Sequence, residues 1–501
     1  MSYYNTHVEN PFVQENPYLG MAPEQAELPR FEQGRPLLPE PHWIGHQAAI
    51  DCYWKTWQLA FRNLRQPTAE NGFVANYIDT AFNDNLFMWD SAFILLFARY
   101  GSRAFDFQRT LDNLYAKQHP DGFICREIRE ADGSDCFCRF DPAATGPNVM
   151  PWTEWEYWRI FGDRQRLERV FPVLVAFHQW MRAYRTWPDG TYWASGWACG
   201  MDNQPRVGAQ GQVAAWYHGH LVWIDTCLQQ ALSARLLLQM ARVLGREKEV
   251  ADLQVELEHL RQIANAQLWD ERSAFYYDRR PNGQLSDVKT VGAYWALLAE
   301  LVPPERLDSF LAHLENEAEF NRPHRVPSLS ADHPEYRADG GYWLGAIWAP
   351  TNYMVLRGLT QVGQDALAHT IAMNHLDNVV AVYQQTGTVW ENYAPESAAP
   401  GKPAKADFVG WTGLPPVAVL LEYVFGLRPD VEQARLLWDV RLLEEHGVRQ
   451  YPFGREGLLD LYCAARTSPT EEPTIRVSTN IPLELVIRWE GGNESILLGG
   501  E

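Results

Sequence analysis

Twelve helix-forming segments, joined alternately by short and long connections, are the feature that most constrains the fold of this chain. Apolar residues recur at helical spacing over 44–65, 89–100, 102–118, 152–162, 163–186, 223–245, 246–268, 289–302, 304–316, 345–362, 364–384 and 412–426. The short turns within helix pairs contain Gly or Pro, as at Gly162 and Gly245. Glycine at a helix end adopts the left-handed cap, and proline is tolerated at the start of the next helix.

The other six connections are long. They span 66–88, 119–151, 187–222, 269–288, 317–344 and 385–411. Long connections without secondary structure are uncommon in compact domains, and those that occur usually carry function. Strict alternation over six antiparallel helix pairs places all long loops on one face of a toroid. We therefore predict an all-α fold, an (α/α)6 barrel, whose active site lies on the long-loop face.

The chain ends differ from this helical body in composition. Residues 1–40 are polar and rich in Pro and Glu, and we interpret them as an extended N-terminal arm. The predicted catalytic barrel covers 41–446 and includes a further helix over 431–446. Alternating apolar residues in 474–479 and 483–489 predict strands. We assign 447–501 to a small C-terminal β-rich element packed on the barrel, and favour structural cover over a carbohydrate-binding module.

Charge and cysteine content restrict the partners and the compartment. The chain has 43 Lys and Arg against 63 Asp and Glu, a net charge of −20, which argues against nucleic acid and anionic membrane surfaces as partners. We find no apolar run of about 18 residues and no secretory signal at the N-terminus. Seven cysteines are few for 501 residues and fit a reducing compartment. We expect a cytoplasmic protein, and the sequence leaves its oligomeric state open.

Aromatic residues are abundant, with 21 Trp, 22 Tyr and 22 Phe. Several tryptophans lie in polar, glycine-rich stretches, among them Trp197, Trp343, Trp390 and Trp411. A flat ring can stack on the apolar C–H face of a sugar, which suggests a carbohydrate site. A large tryptophan is equally at home in a hydrophobic core with its N–H satisfied, so each single residue keeps both interpretations.

Asp202 and Glu391 are the candidate catalytic pair. They lie in the third and sixth long loops, which are opposite each other around a six-pair toroid. Glycoside hydrolysis requires two carboxyl groups on opposite sides of the anomeric carbon, one protonated and one ionised. Each carboxylate also has a structural interpretation, as a turn aspartate for Asp202 and as a partner to an arginine for Glu391.

Four motifs make the sequence similar to a known enzyme family. The segment Gly200–Arg206 (GMDNQPR) resembles the acid-bearing segment of glycoside hydrolase family 63, and Phe87–Ser91 (FMWDS) resembles a Trp-Asp segment of that family and the trehalases. Trp390–Tyr393 (WENY) and Gly340–Trp348 (GGYWLGAIW) resemble their base-bearing and Trp-rich segments. The motifs occur in the family's order across residues 80–425.

The resemblance implies an inverting α-glycosidase on an (α/α)6 barrel that needs neither a metal nor a cofactor. Asp202 would be the general acid and Glu391 the general base, positioned by Tyr393. Trp89 and Asp90 would hold the sugar. The remaining substrate-binding candidates are Gln118, Arg126, Trp197, Arg206, Trp343, Trp348, Trp390 and Trp411. Glu396 is the residue most easily mistaken for the base.

The expected substrate is a small α-glycoside from which the enzyme releases a terminal glucose or mannose. The length of the chain matches the compact bacterial members, such as mannosylglycerate and glucosylglycerate hydrolases. The sequence leaves glucose against mannose, the linkage and the aglycone open. Alternatives are a sugar 2-epimerase using His119 and His218, a disaccharide phosphorylase on the same toroid, or a non-catalytic glycan-binding protein.

Overall fold

The structure, a computed structural model, describes residues 8–24, 26–208 and 215–499. Helices are its most frequent element, and each of the twelve predicted segments overlaps a helix. The helices are Gln47–Arg62 (α1), Met88–Ala98 (α2), Thr110–Tyr115 (α3), Met150–Phe161 (α4), Arg164–Tyr184 (α5), Ile224–Leu244 (α6), Asp252–Gln267 (α7), Trp295–Leu298 (α8), Pro304–Glu315 (α9), Ala349–Gln361 (α10), Asp365–Thr386 (α11) and the π-helical Leu414–Val424 (α12). The third and eighth are much shorter than their predicted ranges, and 3₁₀ turns precede both.

Six of these helices contact one another in a closed cycle. The order around the cycle is α2, α4, α6, α8, α10 and α12, and α12 returns to α2. Every residue of α2 and of α12 is buried, which is expected of helices that are apolar on all sides and surrounded by others. The helical cycle therefore encloses the hydrophobic core.

The remaining long helices lie outside this cycle. Helix α7 buries only Leu253, Leu257, Leu260, Ile263 and Ala264, which share one face at helical spacing. Its other face is polar and exposed to solvent. It packs against α6, while α11 packs against α10 and α12. Helices that are buried on all sides thus alternate along the chain with helices buried on one face, in agreement with the distribution of apolar residues in the sequence.

The strand portion is larger than predicted. One antiparallel sheet contains Glu40–Trp43, His446–Phe453, Gly457–Cys463 and Ile475–Thr479 in that order. A second has the order Gly492–Leu498, Leu483–Trp489, Arg435–Asp439 and Leu427–Asp430, with its middle pair parallel. The first sheet thus joins a strand that precedes α1 to strands that follow α12.

The helix predicted over 431–446 is wrong, because this segment contributes to both sheets. Its residues Glu432, Gln433 and Ala434 are good helix formers. In the structure Leu436 and Trp438 point into the core while Arg435 faces outward, which is the two-residue period of a strand. Pairing with Leu427–Asp430 and Leu483–Trp489 satisfies the backbone of this strand, so tertiary context overrides local propensity.

The described part of the predicted N-terminal arm lies along the helices. Asn10 donates its side-chain amide to Gln179 of α5 at 2.9 Å, and its backbone N–H to Pro120. The Asn16 amide donates to the Tyr115 carbonyl at 3.0 Å, and Tyr18 is fully buried. Residues 1–7 and 25 lie outside the described residues. The boundaries at 40 and 446 stay predictions.

No helix in the described ranges is both long enough and apolar enough to cross a membrane.

Candidate active site

A pocket of about 550 Å³ opens where five of the six long connections meet. All five contribute side chains or backbone to its wall. The lining residues are Phe82, Phe87, Trp89, Asp90, Arg126, Gly146, Pro147, Trp197, Gly200, Asp202, Tyr342, Trp343, Glu391 and Trp411. Three carboxyl groups and one guanidinium therefore face a cavity whose walls are otherwise largely aromatic.

Asp202 is positioned by a four-residue helix and the glycine that ends it. Ser195 caps this helix, Gly196–Cys199, by accepting the Ala198 N–H. Gly200 follows in the left-handed conformation with φ of +77°, and a Cβ there would lie 3.0 Å from the Trp89 ring. Only glycine combines this backbone angle with so close an approach. The chain is thus turned so that Asp202 enters the pocket beside Trp89.

Asn203 ties the Asp202 loop to the loop that carries Trp343. Its amide donates to the Gly341 carbonyl at 2.9 Å, and its side-chain oxygen accepts the Trp343 N–H at 2.9 Å. Two bonds from one side chain fix the relative position of the two loops. The carboxyl of Asp202 and the ring of Trp343 are thereby held in the wall of the same pocket.

Burial raises the pKa of Asp202 to about 6, although the nearby Arg126 cation acts in the opposite direction. Among the described residues, no other residue donates a hydrogen bond to the Asp202 carboxyl. Arg126 and the backbone N–H of Asp202 itself stabilise the ionised form only in part, so burial still favours the protonated form. Asp202 is therefore suited to carry a proton and to donate it.

Glu391 has two hydrogen-bond donors on its carboxylate. The Lys405 backbone N–H donates to Oε2 at 3.0 Å, and the Tyr342 hydroxyl donates to Oε1 at 3.2 Å. The Trp411 indole N–H also donates to the Glu391 carbonyl at 2.8 Å. Burial raises the pKa of Glu391 to about 7, against the effect of these two donors. The two donors offset part of the effect of burial and fix the direction of the carboxylate.

Asp90 lies in the first turn of α2, next to Trp89. Burial raises its pKa to about 8, with Arg126 opposing and Glu391 reinforcing that shift. Arg126 donates to the Trp197 carbonyl and stands 5.6 Å from the centre of the Trp197 ring. The pocket thus offers a carboxyl group and a cation beside two indole rings, which suits a ligand with hydroxyl groups on an apolar frame.

Of the thirteen residues that the sequence analysis singles out, eight line this pocket. They are Trp89, Asp90, Arg126, Trp197, Asp202, Trp343, Glu391 and Trp411. The other five, which are Gln118, Arg206, Trp348, Trp390 and Tyr393, are not among its lining residues.

Arg206 and Gln118 have structural partners elsewhere. The Arg206 guanidinium binds the carboxylates of Asp225 and Asp278 with four hydrogen bonds of 2.6–2.9 Å and lies over the Trp223 ring. It anchors the loop to the start of α6. Gln118 donates to two backbone carbonyls, at 2.9 and 3.1 Å, and accepts from Asn16. Both side chains support the loops from behind.

Trp348, Trp390 and Tyr393 form the layer behind the pocket. The Trp348 ring stacks on Trp343 with centroids 3.9 Å apart and planes at 3°. The Tyr393 hydroxyl accepts the Trp390 backbone N–H at 3.1 Å, and the Trp390 indole donates to Thr386. Tyr393 thus holds the backbone next to Glu391, whereas Tyr342 holds its carboxylate.

Sequence reasoning missed Tyr342, Lys405 and the two phenylalanines Phe82 and Phe87. Tyr342 lies within the Gly340–Trp348 motif, so its position beside Trp343 was the signal that could have found it. Lys405 contacts Glu391 through its backbone, and no side-chain pattern marks such a contact. Its ammonium group donates to the Phe82 carbonyl and lies 4.3 Å from the Phe82 ring.

Other residues that the sequence analysis weighed lie away from the pocket. Glu396 pairs with Arg322 at 2.7 Å, and this pairing lowers its pKa. His119 is bonded to Asp135 at 2.7 Å, and His218 is grouped with His220 and Trp187. No histidine is among the lining residues that the structure describes. The described residues also contain no group of three side chains able to hold a metal ion.

Carboxyl groups in an aromatic pocket above a ring of helices are typical of carbohydrate-cleaving enzymes. Comparison with protein families specifies it further. The mannosylglycerate hydrolase MGH1-like glycoside hydrolase domain matches residues 83–412. The chain belongs to this family and is a glycoside hydrolase.

Individual relatives agree with this assignment. The chain is 28% identical over 284 residues to a probable mannosyl-oligosaccharide glucosidase of Schizosaccharomyces pombe, covering 50% of this chain but only 34% of that protein. The GH63 mannosylglycerate hydrolase of Thermus thermophilus, solved with glucose, superposes with a TM-score of 0.59 at 21% identity. It covers 74% of this chain and 99% of its own. At this identity the likeness shows the fold alone.

A third match extends into the strand portion. The GH78 rhamnosidase of Bacillus sp. GL1 covers 90% of this chain and 42% of its own, with a TM-score of 0.63 at 14% identity. Because more than a tenth of the chain follows the last helix, which ends at Val424, an overlap of 90% extends beyond the helices into the strand portion. The combination of a helical body with a following strand portion therefore recurs in another glycoside hydrolase.

Proposed function

We propose that this protein is an inverting, exo-acting α-glycoside hydrolase that releases glucose or mannose from a small α-glycoside. The observation that supports this proposal most strongly is the pair of carboxyl groups, the half-buried Asp202 and the buried Glu391, on one aromatic pocket. We further propose that the six helix pairs form an (α/α)6 barrel, supported by the closed cycle of six buried helices.

Asp202 acts as the general acid in this proposal. Its proton moves to the glycosidic oxygen while the bond from that oxygen to the anomeric carbon breaks. The absence of described donors to its carboxyl leaves the acid O–H free to point at the leaving group. Positive charge that develops on the sugar ring faces the indole of Trp89, and Asp90 beside it can hydrogen-bond the sugar hydroxyls.

Glu391 acts as the general base. Its carboxylate takes a proton from a water molecule whose oxygen attacks the anomeric carbon from the face opposite the leaving group. Tyr342 and Lys405 donate to this carboxylate, so its position is set before water binds. Attack from the opposite face inverts the configuration, and an α-glycoside then yields a β-sugar.

The pocket shape supports removal of a single terminal sugar. A volume of about 550 Å³ that includes the pocket mouth lies within the usual range of small-ligand sites and can hold a single sugar ring. The stacked pair Trp343 and Trp348 closes one wall. Relatives named for mannosylglycerate and mannosyl-oligosaccharide substrates make glucose and mannose the sugars to test first.

Proton NMR of the first-released sugar tests the proposal. The panel contains α-glucosides and α-mannosides, including trehalose, kojibiose, glucosylglycerate and mannosylglycerate. We expect the β-anomer to appear first from at least one of them, followed by mutarotation to the equilibrium mixture. Initial release of the α-anomer from glucosylglycerate or mannosylglycerate, whose leaving group is not a sugar, would contradict inversion. Binding of a panel member without any sugar release would favour a glycan-binding protein.

The pH dependence of kcat/KM is expected to be bell-shaped with its maximum between pH 6 and 7. The pKa values are about 6 for Asp202 and about 7 for Glu391. Below this range both carboxyls are protonated and the base is lost; above it both are ionised and the acid is lost. Since the two carboxyl groups face one pocket and interact, the acidic and alkaline limbs of the pH profile report apparent pKa values of the pair and not of either residue alone.

The measurement is kcat/KM across about pH 4 to 9 at constant ionic strength, with the unfolding temperature recorded at each pH as the control. A decline in activity that precedes any loss of folded protein supports the two titrations. Activity that keeps rising to the alkaline end would contradict the requirement for a protonated carboxyl.

A further inference from the structure

A second pocket lies at the other end of the helices from the active site. The active-site residues Asp90 and Pro147 are at or just before the N-terminal ends of α2 and α4. The second pocket, about 680 Å³ and open to solvent, is lined by residues near the C-terminal ends of α4 and α10 and by the second sheet. A helix of 12 residues such as α4 separates its ends by about 18 Å, so the two pockets are distinct.

Four arginines line this second pocket. They are Arg159 from α4, Arg357 from α10, and Arg428 and Arg435 from neighbouring strands, with Asp430 the one acidic side chain among the described lining residues. Such a concentration of guanidinium groups is unusual in a chain whose net charge is −20. Cations gathered on one concave surface attract anions from solution.

The carboxylates behind the pocket leave some of this positive charge unmatched. Glu156 is shared by Arg357, by Arg99 at 3.5 Å and by Arg159 at 3.8 Å. Burial alone would raise the pKa of Glu156, yet the surrounding arginines lower it to about 2. Arg99 has a further partner in Glu422. Three guanidinium groups therefore surround one carboxylate that is already fully ionised.

Several guanidinium donors in the lining are unused. The Arg159 guanidinium makes no hydrogen bond to any described residue, since its contact with Glu156 is 3.8 Å. Arg435 uses its Nε for Glu484 at 2.8 Å, and its two terminal nitrogens have no described hydrogen-bond partner. The Arg357 side chain is only 8% exposed, and its buried Nε has no partner in the described structure. A buried donor without a partner is costly.

We propose that this pocket binds a tetrahedral oxyanion, either free phosphate or sulfate or the phosphate group of a metabolite. Guanidinium groups present paired donors that match the oxygens of such anions. The oxyanion would accept hydrogen bonds from Arg159 and the terminal nitrogens of Arg435, and its charge would offset the excess around Glu156. The binding is independent of the glycosidase proposal and needs no catalytic residue.

Thermal unfolding and titration calorimetry of the full chain with inorganic phosphate test the site. We expect a saturable rise in the unfolding temperature with phosphate, which stabilises the folded form that binds it. Sodium chloride at matched ionic strength should not reproduce this rise. Arg159→Gln and Arg435→Gln should each weaken phosphate binding about tenfold, the equivalent of about 1.4 kcal/mol.

Arg449→Gln is the matched control. Arg449 is also an exposed strand arginine paired with a glutamate, Glu40, but it belongs to the first sheet and does not line the pocket. Its phosphate affinity should equal that of the unaltered protein. Comparing phosphate with glucose 6-phosphate and with glucose separates a free anion from a phosphorylated metabolite.

The outcomes are distinct. Binding of glucose 6-phosphate that weakens in Arg159→Gln belongs to this pocket, whereas binding unaffected by Arg159→Gln belongs to the active site. Absence of saturable phosphate and glucose 6-phosphate binding would overturn the proposal. Equal affinity in the unaltered protein and both arginine variants would also overturn it.

Discussion

Asp202→Asn is expected to lower kcat on natural α-glycosides by about 10²–10⁴-fold, the usual contribution of a positioned proton donor. Asparagine keeps the size and shape of the side chain, so the loop held by Gly200 and Asn203 should not move. What it removes is the acidic proton. The C–O bond to a sugar or glycerate leaving group must then break without protonation of the leaving oxygen. This raises the barrier to bond cleavage and lowers kcat.

A substrate whose leaving group needs no proton isolates this role. Fluoride departs from an α-glycosyl fluoride with little acid assistance, so Asp202→Asn should retain much more of the unaltered enzyme's turnover on this substrate than on a natural glycoside. The measurement is kcat on both substrates for each variant. Equal losses on both would indicate that Asp202 does something other than donate a proton.

Stability provides the control for folding. Because burial raises the pKa of Asp202 to about 6, the folded state binds its proton more tightly than the unfolded state. This carboxyl therefore lowers the free energy of unfolding as the pH rises above its unfolded pKa and through 6. Asp202→Asn should unfold at an equal or higher temperature than the unaltered protein at neutral pH. Asp287→Asn, an exposed aspartate paired with Arg280, should change neither turnover nor stability.

The helical part of the fold was predictable because its signals are local. Apolar residues recur with the 3.6-residue period of a helix, and Gly162 and Gly245 end helices in the left-handed conformation. Both signals can be read from residues that are close along the chain. The strand Arg435–Asp439 was not predictable in the same way. It is stabilised by strands beginning at Leu427 and Leu483, and Leu483 lies far away along the chain.

The motif Gly200–Arg206 shows how far the candidate site could be predicted from the sequence. Asp202 and Arg206 are four residues apart, yet Asp202 lines the pocket while Arg206 binds Asp225 and Asp278 in the interior. A motif marks both residues alike, because an enzyme needs its loop anchor as much as its acid. Only the path of the chain around Gly200 separates the two roles.

The hydrogen-bond donors to Glu391 are a second feature of the site that the sequence could not predict. Tyr342 reaches Glu391 across 49 residues, and the Lys405 N–H reaches it through the backbone. A backbone donor leaves no trace in the type of side chain. The sequence therefore proposes Glu391 as the base but assigns its positioning to Tyr393, whose hydroxyl accepts from the Trp390 N–H.

Glu391→Gln is expected to lower kcat on natural α-glycosides and on the α-glycosyl fluoride alike, each by about 10²–10⁴-fold. Both reactions need a water molecule to lose its proton as it attacks the anomeric carbon, whatever the leaving group. Glutamine keeps one oxygen, which can accept from the Lys405 N–H, and its NH2 can donate to the Tyr342 hydroxyl oxygen, but the side chain cannot take up that proton. The same kcat measurements on the two substrates check this expectation.

Glu396→Gln is the matched control, since Glu396 lies five residues further along the same loop and its carboxylate binds Arg322 and Tyr336 outside the pocket lining. Its turnover should stay close to that of the unaltered enzyme on both substrates. A large loss in Glu396→Gln together with an active Glu391→Gln would show that the base had been assigned to the wrong glutamate.

The two active-site variants are most informative together. Recovery on the fluoride by Asp202→Asn, with none by Glu391→Gln, assigns the proton donor and the water-activating base. The opposite pattern would exchange their roles. The assignment obtained in this way depends on the leaving group and not on the pKa order in the empty pocket, which is about 6 for Asp202 and about 7 for Glu391. It therefore tests directly whether the two hydrogen bonds on Glu391 select it as the base.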